Sequence, residues 1–498
     1  MNIATLLDMS AEAFGERIAV VSGDTQLSYA ELKAAALAAA LRVQASGAVY
    51  VVLLDVNSAA APVAIFGAAY AGVPYVPLNY RLTRPEINEL IARVAPALLI
   101  TGADYRGLVD ARDDVQIIDR EAFLSLHRNA APIEPADDPR AVAVQLFTSG
   151  TTGKPKAAIL RHENLMSYIV GTVEFAAADE SDAIVVTVPP YHIAGISAVL
   201  SSTYACRRMV QLEGFEAAGW LAACREHRVS NAFLVPTMLQ RIVDHLDAQG
   251  GDAQLPALRA LAYGGGKMPL ATIRRAMCLL PQVDFTNAYG LTETSSTIAV
   301  LGPDDHRAAA ASDDPRVRRR LASVGRPGAV EIEIRDEAGK ALGSEEAGLV
   351  FVRGPQVSGE YLALGSQLDA GGWFPTKDRG YLDAEGYLFL DGRADDVIVR
   401  GGENISPGEI EDVLLNHEAV ADVAVVALPD DQWGEAVAAA VVLKDGASAS
   451  VLELQELVRS RLRSSRVPQH IVFKDQLPYN ELGKILRRVI RQEFADAV

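Results

Sequence analysis

The feature that most restricts how this chain can fold is a rhythm in which short, wholly apolar, β-branched runs alternate with longer stretches of helical spacing. YAELKAAALAAALRVQA (29–45) has the periodicity of a helix, and AVYVVLLDV (48–56) reads as a buried strand. AAPVAIFGAAYAG then reads as helix, VPYVPL as strand, RPEINELIARV as helix, and ALLIT and VQIID as strands. The same alternation runs through AIVVTVPP, GWLAACREHRV, AFLVPT and LRALAYGGG. Strands with no polar alternation are covered on both faces, and a helix between two of them is a crossover, so the pattern predicts parallel sheets between layers of helices.

Past about residue 325 the texture changes to shorter alternating strands with turns: AVEIEIRD, GLVFVRG and the hairpin-like YLDAEGYLFLDGRADD. After Asp396 the chain starts again as a compact α+β pattern, EIEDVLLNH, DVAVVALPD, EAVAAAVVLK, VLELQELVRSRL, HIVFKD and KILRRVIRQEF, long enough for an independent small domain. The fold class expected is therefore α/β: a large N-terminal body of helix-covered parallel sheets with a small β subdomain, then a small mobile α+β domain. The expected boundaries are 1–391 for the body, 392–396 for a hinge and 397–498 for the C-terminal lid.

Composition narrows the partners. Lys and Arg number 46 against 64 Asp and Glu, a net charge of −18, which repels nucleic acid and anionic lipid over most of the surface. An anionic ligand must then meet a local site. Cys206, Cys224 and Cys278 are widely spaced, form no metal-ligand pattern and leave one unpaired, so reduced thiols and a cytoplasmic location are expected. The N-terminal stretch carries Asp8, Glu12 and Glu16 where an export signal would be basic and then apolar. Val56 to Tyr80 has no charged residue, but its alanines, glycines and prolines read as a buried helix followed by a strand and turn, without stable membrane insertion.

The strongest chemical signal is LFTSGTTGKPK (146–156), which follows the strand-like AVAVQLF. Thr148, Ser149, Thr151 and Thr152 supply hydroxyls, Gly150 and Gly153 free backbone N–H groups, and Lys154 an ammonium, a set suited to polyphosphate oxygens. It is not a Walker A loop, because Gly-x4-Gly-Lys-Ser/Thr is absent and Pro155 follows Lys154.

TSGTTGKPK resembles the phosphate loop of the AMP-forming acyl- and aryl-CoA synthetases, the adenylate-forming superfamily that includes firefly luciferase and the adenylation domains of peptide synthetases. LSYAEL (27–32), YAGVPYVPLNYRLTRPEI (70–87), PPYHIAG (189–195), NAYGLTE (287–293), GWFPTKD (372–378), GRADDVIVRGGENISPGEIE (392–411) and ELGKILRR (481–488) extend the resemblance, in the family's order, over nearly the whole chain.

The resemblance implies roles, and the residue types suit them. In NAYGLTE, Tyr289 offers a face to adenine, Thr292 a hydroxyl to the α-phosphate, and Glu293 a hard oxygen ligand to Mg²⁺. Gly264, Gly265, Gly266, Asn287, Ala288 and Gly290 complete the nucleotide site. Asp378 would hold the ribose hydroxyls, next to Lys377 where the family usually has glycine, and Arg393 would contact ribose or phosphate. Asp395 matches the hinge, and Gly401 and Gly402 the segment lining the pantetheine tunnel. Lys484, preceded by Leu482 where serine or threonine is common, would bridge the carboxylate and the α-phosphate electrostatically. The acyl pocket is expected from Tyr191, Ile193, Gly195, Val235, Tyr263 and the Ser295–Thr297 region; His192 either gates the carboxylate or packs, and Lys267 either meets a polar group or is solvated.

The function implied is ATP-dependent activation of a small carboxylic acid as acyl-AMP and its transfer to coenzyme A, with ATP, Mg²⁺ and coenzyme A as cofactors and a homodimer as a possible assembly. A monoacid is expected, aromatic, alicyclic or medium-chain. Loading of a carrier protein stays open, although PPYHIAG lacks the Phe-Asp of amino acid activators. A luciferase-like oxidoreductase shares every motif, and a nonenzymatic nucleotide binder would follow if Lys377 and Leu482 were disabling. A fatty acyl-AMP ligase would usually carry an insertion after the hinge, for which the chain has no room.

Overall fold

The computed structural model describes residues 1–126, 133–148, 155–430, 432–480 and 485–497. Two compact units arise, Met1–Glu331 with Val352–Phe374, and Ile332–Phe351 with Pro375–Val498.

The first unit contains the alternation expected of α/β layers. Helix Tyr29–Ser46 starts at a capping box: Ser28 Oγ accepts from the Glu31 N–H at 3.2 Å while Glu31 accepts from the Ser28 N–H at 2.9 Å. Its alanine face meets helix Ala60–Ala71, buried from Ala60 to Tyr70, and a Cβ added at Gly67 would lie 2.8 Å from the Ala39 methyl, so small residues set how closely these helices approach. The uncharged 56–80 stretch thus forms a buried helix followed by strand Tyr75–Pro77. Among the described residues no helix is long and apolar enough to cross a membrane.

Two sheets make up the unit. In one, strands Tyr75–Pro77, Tyr50–Leu54, Ala97–Thr101 and Val115–Asp119 are parallel neighbours in that order, and the antiparallel pair Val142–Thr148 and Lys156–Arg161 extends them. In the other, Asp284–Leu291, Ala260–Gly264, Asn231–Leu234, Ala183–Val186, Arg208–Gln211 and Ile18–Ser22 are parallel in that order. Antiparallel strands Ser296–Leu301 and Thr25–Ser28 flank that run. A parallel sheet sends all its carboxyl ends to one edge, where α/β proteins bind ligands.

In the second unit, strands Val420–Asp430, Gly434–Leu443 and His470–Lys474 form a three-stranded sheet. Val423, Val425, Val437, Ala439 and Val441 face helices Pro407–Leu415 and Val451–Arg461, while Ala424, Val426, Ala438 and Ala440 face helix Arg487–Ala497 through Ile490 and Phe494. The period of two therefore separates two apolar cores on either side of one sheet. A four-stranded sheet orders Glu331–Arg335, Gly348–Arg353, Phe374–Leu382 and Leu388–Arg393.

Candidate active site

The carboxyl edge of the parallel sheet in the first unit collects most of the residues singled out in the sequence. Strand Ala183–Val186 leads to Tyr191, His192, Ile193 and Gly195; Asn231–Leu234 to Val235; Ala260–Gly264 to Gly265, Gly266 and Lys267; and Asp284–Leu291 carries Asn287, Ala288, Tyr289 and Gly290 into Thr292 and Glu293. Register pairs Tyr263 with Asn287 and Gly264 with Ala288.

Glu293 sits in a single 3-10 turn, Thr292–Thr294, that reverses the chain into strand Ser296–Leu301. Gly290 is required there, because a Cβ would lie 1.8 Å from the Ser296 carbonyl oxygen. Ser295 at φ 56° and Ser296 at φ 117° occupy the left-handed side of backbone space, a cost on the order of 1–3 kcal/mol each that persists only where the surroundings enforce it.

The enforcement is visible. Thr294 Oγ1 accepts from the Leu291 N–H at 3.0 Å and donates to the Ser296 carbonyl at 2.8 Å. Buried Gln356 donates through Nε2 to the carbonyls of Thr294 at 3.0 Å and Thr297 at 2.9 Å. The N–H groups of Ser358 and Gly359 donate to the Glu293 carbonyl at 2.9 and 3.0 Å, and the Tyr361 hydroxyl donates to Glu293 Oε1. Oε2 has no hydrogen bond from a described residue. An available carboxylate oxygen on this half-buried residue suits Mg²⁺, which binds through one or two carboxylates and takes its other ligands from phosphates and water.

His192 caps helix Ile193–Tyr204: its Nδ1 accepts from the Ala194 N–H at 3.2 Å. Burial lowers its pKa to about 4, so at neutral pH the ring is uncharged and, with Nδ1 accepting, the proton is on Nε2. The resulting group is a neutral donor. Beside it Tyr191 meets Tyr80 edge-on, centroids 5.6 Å apart, and Tyr80 meets Tyr105 at 4.9 Å.

Tyr263 and Val235 are core residues here. Tyr263 is fully buried, and its hydroxyl lies 2.8 Å from His306 Nε2. His306 Nδ1 lies 2.8 Å from the Gly302 carbonyl and must donate, so Nε2 accepts the Tyr263 proton. Val235 is 1% exposed and precedes helix Pro236–Ala248. Lys267 is exposed.

Of the phosphate-loop residues, Ser149, Gly150, Thr151, Thr152, Gly153 and Lys154 lie outside the described residues. Their frame is described: Thr148 ends one strand, Lys156 begins the next, and the two are partners in register.

In the second unit Asp378 and Arg393 face each other across a hairpin, with Arg393 Nη1 3.1 Å from Asp378 Oδ1 and Asp378 only 7% exposed. Arg393 also donates to the Thr376 carbonyl at 3.2 Å. Lys377 has φ 63°, the left-handed conformation that glycine would adopt freely, so the lysine is accommodated with strain. Asp395 is exposed in the turn Ala394–Asp396, while its neighbour Asp396 pairs with Arg491 at 2.8 Å. Gly401 and Gly402, both at positive φ and exposed, join strands Ile398–Arg400 and Glu403–Ile405. Lys484 lies outside the described residues. On either side of its segment Tyr479 and Ile485 form a β-bridge, and Arg487 pairs with buried Glu411, Nη2 to Oε2 at 3.0 Å.

Sequence reasoning missed the 356–361 segment. Its glutamine, serine and tyrosine fall in no motif, and their importance lies in whom they touch. In the sequence Lys156 only ends the phosphate-loop motif, yet its ammonium lies 5.7 Å from the Tyr361 ring centroid.

Comparison with known proteins identifies the family. Residues 7–362 match the AMP-binding enzyme family model, and residues 409–484 match that of the AMP-binding enzyme C-terminal domain. The chain is 31% identical to an indoleacetate–CoA ligase of Aromatoleum aromaticum, over 99% of this chain and 98% of the relative. It is 31% identical to a feruloyl-CoA synthase of an Amycolatopsis species, over 96% of each. The o-succinylbenzoate CoA synthetase of Bacillus subtilis, solved with its acyl-adenylate intermediate, superposes with a TM-score of 0.84 at 29% identity, covering 98% of this chain and 97% of that one. The chain therefore belongs to the AMP-binding enzymes, as an AMP-forming acyl- or aryl-CoA synthetase of the adenylate-forming superfamily.

Proposed function

We propose that this ligase activates an aromatic monocarboxylic acid as its acyl-adenylate and passes the acyl group to coenzyme A. The observation that carries the reading is the Glu293 turn, built at the carboxyl edge of a parallel sheet in a chain matched along almost its whole length by aryl-CoA ligases. The tyrosines beside His192 and the uncharged imidazole favour an aryl acid with one carboxylate.

In the first step the acid oxygen attacks the α-phosphorus of ATP and pyrophosphate leaves. Glu293 would hold Mg²⁺, which would supply positive charge against the phosphate oxygens. Thr292 and the phosphate loop orient the nucleotide, and Lys484 offsets the repulsion between the two approaching anions. In this reading the His192 Nε2–H donates to the acid. In the second step the coenzyme A sulfur attacks the acyl carbon, its proton is lost, and the acyl–phosphate bond breaks to release AMP.

Asp378 and Arg393 bind the ribose and phosphate in both steps. In this reading Asp395 is the hinge, Lys484 serves the first step, and Gly401 and Gly402 serve the second. The free thiols of Cys206, Cys224 and Cys278 suit a cytoplasmic setting.

Pyrophosphate release over a panel of aryl, alicyclic and alkyl acids tests the reading, with and without coenzyme A, on the native chain and Lys484→Ala. Aryl-dependent release lost in the variant, with thioester formed only with coenzyme A, is the expected result. Release without thioester would redirect the acceptor to a carrier protein, as in the Streptomyces coeruleorubidus fatty acid–[acyl-carrier-protein] ligase, 30% identical over 86% of this chain. No release with any acid would overturn the reading.

A further inference from the structure

We propose that Tyr361 is the positioning residue of Glu293: its phenol fixes the carboxylate so that the other oxygen faces the metal. The inference rests on the function proposed above and extends it to a residue no motif contains.

Tyr361 is itself held before it reaches Glu293. It lies in the short strand Glu360–Tyr361, which pairs antiparallel with Lys156–Arg161, the strand that follows the phosphate loop, in the register Glu360 to Ile159 and Tyr361 to Ala158. Arg161 grips Glu360 with two bonds, Nε to Oε2 at 2.9 Å and Nη2 to Oε1 at 2.8 Å. The Ser358 hydroxyl donates to the Ile159 carbonyl, and the Lys156 ammonium stands 5.7 Å from the phenol ring, within cation–π range. From this footing the hydroxyl donates to Glu293 Oε1, while the N–H groups of Ser358 and Gly359 hold the Glu293 carbonyl. One segment thus fixes both the backbone and the side chain of Glu293, and it is hydrogen-bonded to the strand that carries the phosphate loop.

The chemistry follows from the donor. A phenol bonded to one carboxylate oxygen restricts the rotation of the side chain and leaves the second oxygen for a cation. Removing such an outer partner costs metal sites about 10- to 100-fold in affinity. A merely structural tyrosine would affect stability and leave ion binding alone.

The test is calorimetric titration of Mg²⁺ into the intact chain saturated with the non-cleavable α,β-methylene analogue of ATP, comparing native, Tyr361→Phe, Glu293→Gln and the double variant. AMP binding without metal is measured in parallel. The expected result is that Tyr361→Phe weakens Mg²⁺ about 10- to 100-fold, leaves AMP affinity within about twofold, and has no further effect once Glu293 is Gln. Unchanged Mg²⁺ affinity in Tyr361→Phe, an equal loss for AMP, or an undiminished effect in the Glu293→Gln background would each overturn the inference. If the native chain shows no Mg²⁺-dependent binding of the analogue, the proposed function falls and the inference with it; if it does and Tyr361→Phe matches it, the inference alone falls.

Discussion

Glu293 and Asp378 are both carboxylates assigned to the nucleotide, yet they are positioned in opposite ways. Glu293 rides on a strained turn whose conformation is imposed by residues more than sixty positions later, Gln356 through Tyr361. Asp378 sits in a regular hairpin and is met by its own cross-strand partner, Arg393. One site is enforced by tertiary contacts and the other by local pairing. The comparison teaches that strain marks the first: Ser295 and Ser296 hold left-handed φ values in a turn whose carbonyls are bound by Gln356 and by the N–H groups of Ser358 and Gly359. In the second, strain is confined to Lys377.

The sharpest test of this contrast is Glu293→Gln. It keeps the turn but removes the charge, and pyrophosphate release should fall on the order of 10²- to 10³-fold, with the melting temperature little changed. A small effect would end the metal role of Glu293. Asp378→Asn comes next. Losing a charged hydrogen-bond acceptor for the ribose should weaken AMP about 10- to 100-fold in a binding titration. Mg²⁺ dependence should stay native, because that property belongs to the other site.

Gln356→Ala probes the clamp itself. The carbonyls of Thr294, buried, and Thr297, half-buried, lose their donor, so denaturant unfolding should show a loss of about 1–3 kcal/mol. Equal stability would mean that the turn holds itself. Lys377→Gly runs the other way: relief of the left-handed strain should stabilise the chain by up to about 1 kcal/mol, read as a shift in denaturation midpoint.

A pH slope gives a further test. Buried His162, whose Nδ1 accepts from the Ile3 N–H at 3.2 Å, has its pKa lowered by burial to about 4. Between that value and the ordinary histidine range the unfolded chain holds the extra proton, so stability rises with pH there and falls on acidification. His192 acts in the same direction, whereas Asp55, raised by burial to about 6, opposes it. His162→Gln should flatten the acid side of the stability curve; an unaltered slope would show that His162 does not contribute.

Much of the fold was legible because it is periodic. ALLIT and VQIID became the strands Ala97–Thr101 and Val115–Asp119 to the residue, and the alternation in DVAVVALPD and EAVAAAVVLK divides two cores across one sheet. Asp378 and Arg393 were legible in type, and the hairpin pattern brings them together. The neighbourhood of Glu293 was not. A Gln-x-Ser-Gly-x-Tyr stretch has no periodicity and no glycine pattern that announces a clamp, and nothing local says that a tyrosine will reach a glutamate sixty-eight positions earlier. Tyr263 belongs to the same class, since its phenol proton goes to His306, a partner that sequence spacing does not disclose.

By itself the sequence determined the layers, the family and the chemical identity of the groups assigned to the nucleotide, because these follow from period, composition and short motifs. Only the tertiary structure decided which oxygen of Glu293 is engaged, which nitrogen of His192 keeps its proton, and which residue types endure a left-handed backbone. Those choices depend on hydrogen-bond partners and steric limits supplied by segments distant in the chain, and they exist only once the chain has closed around them.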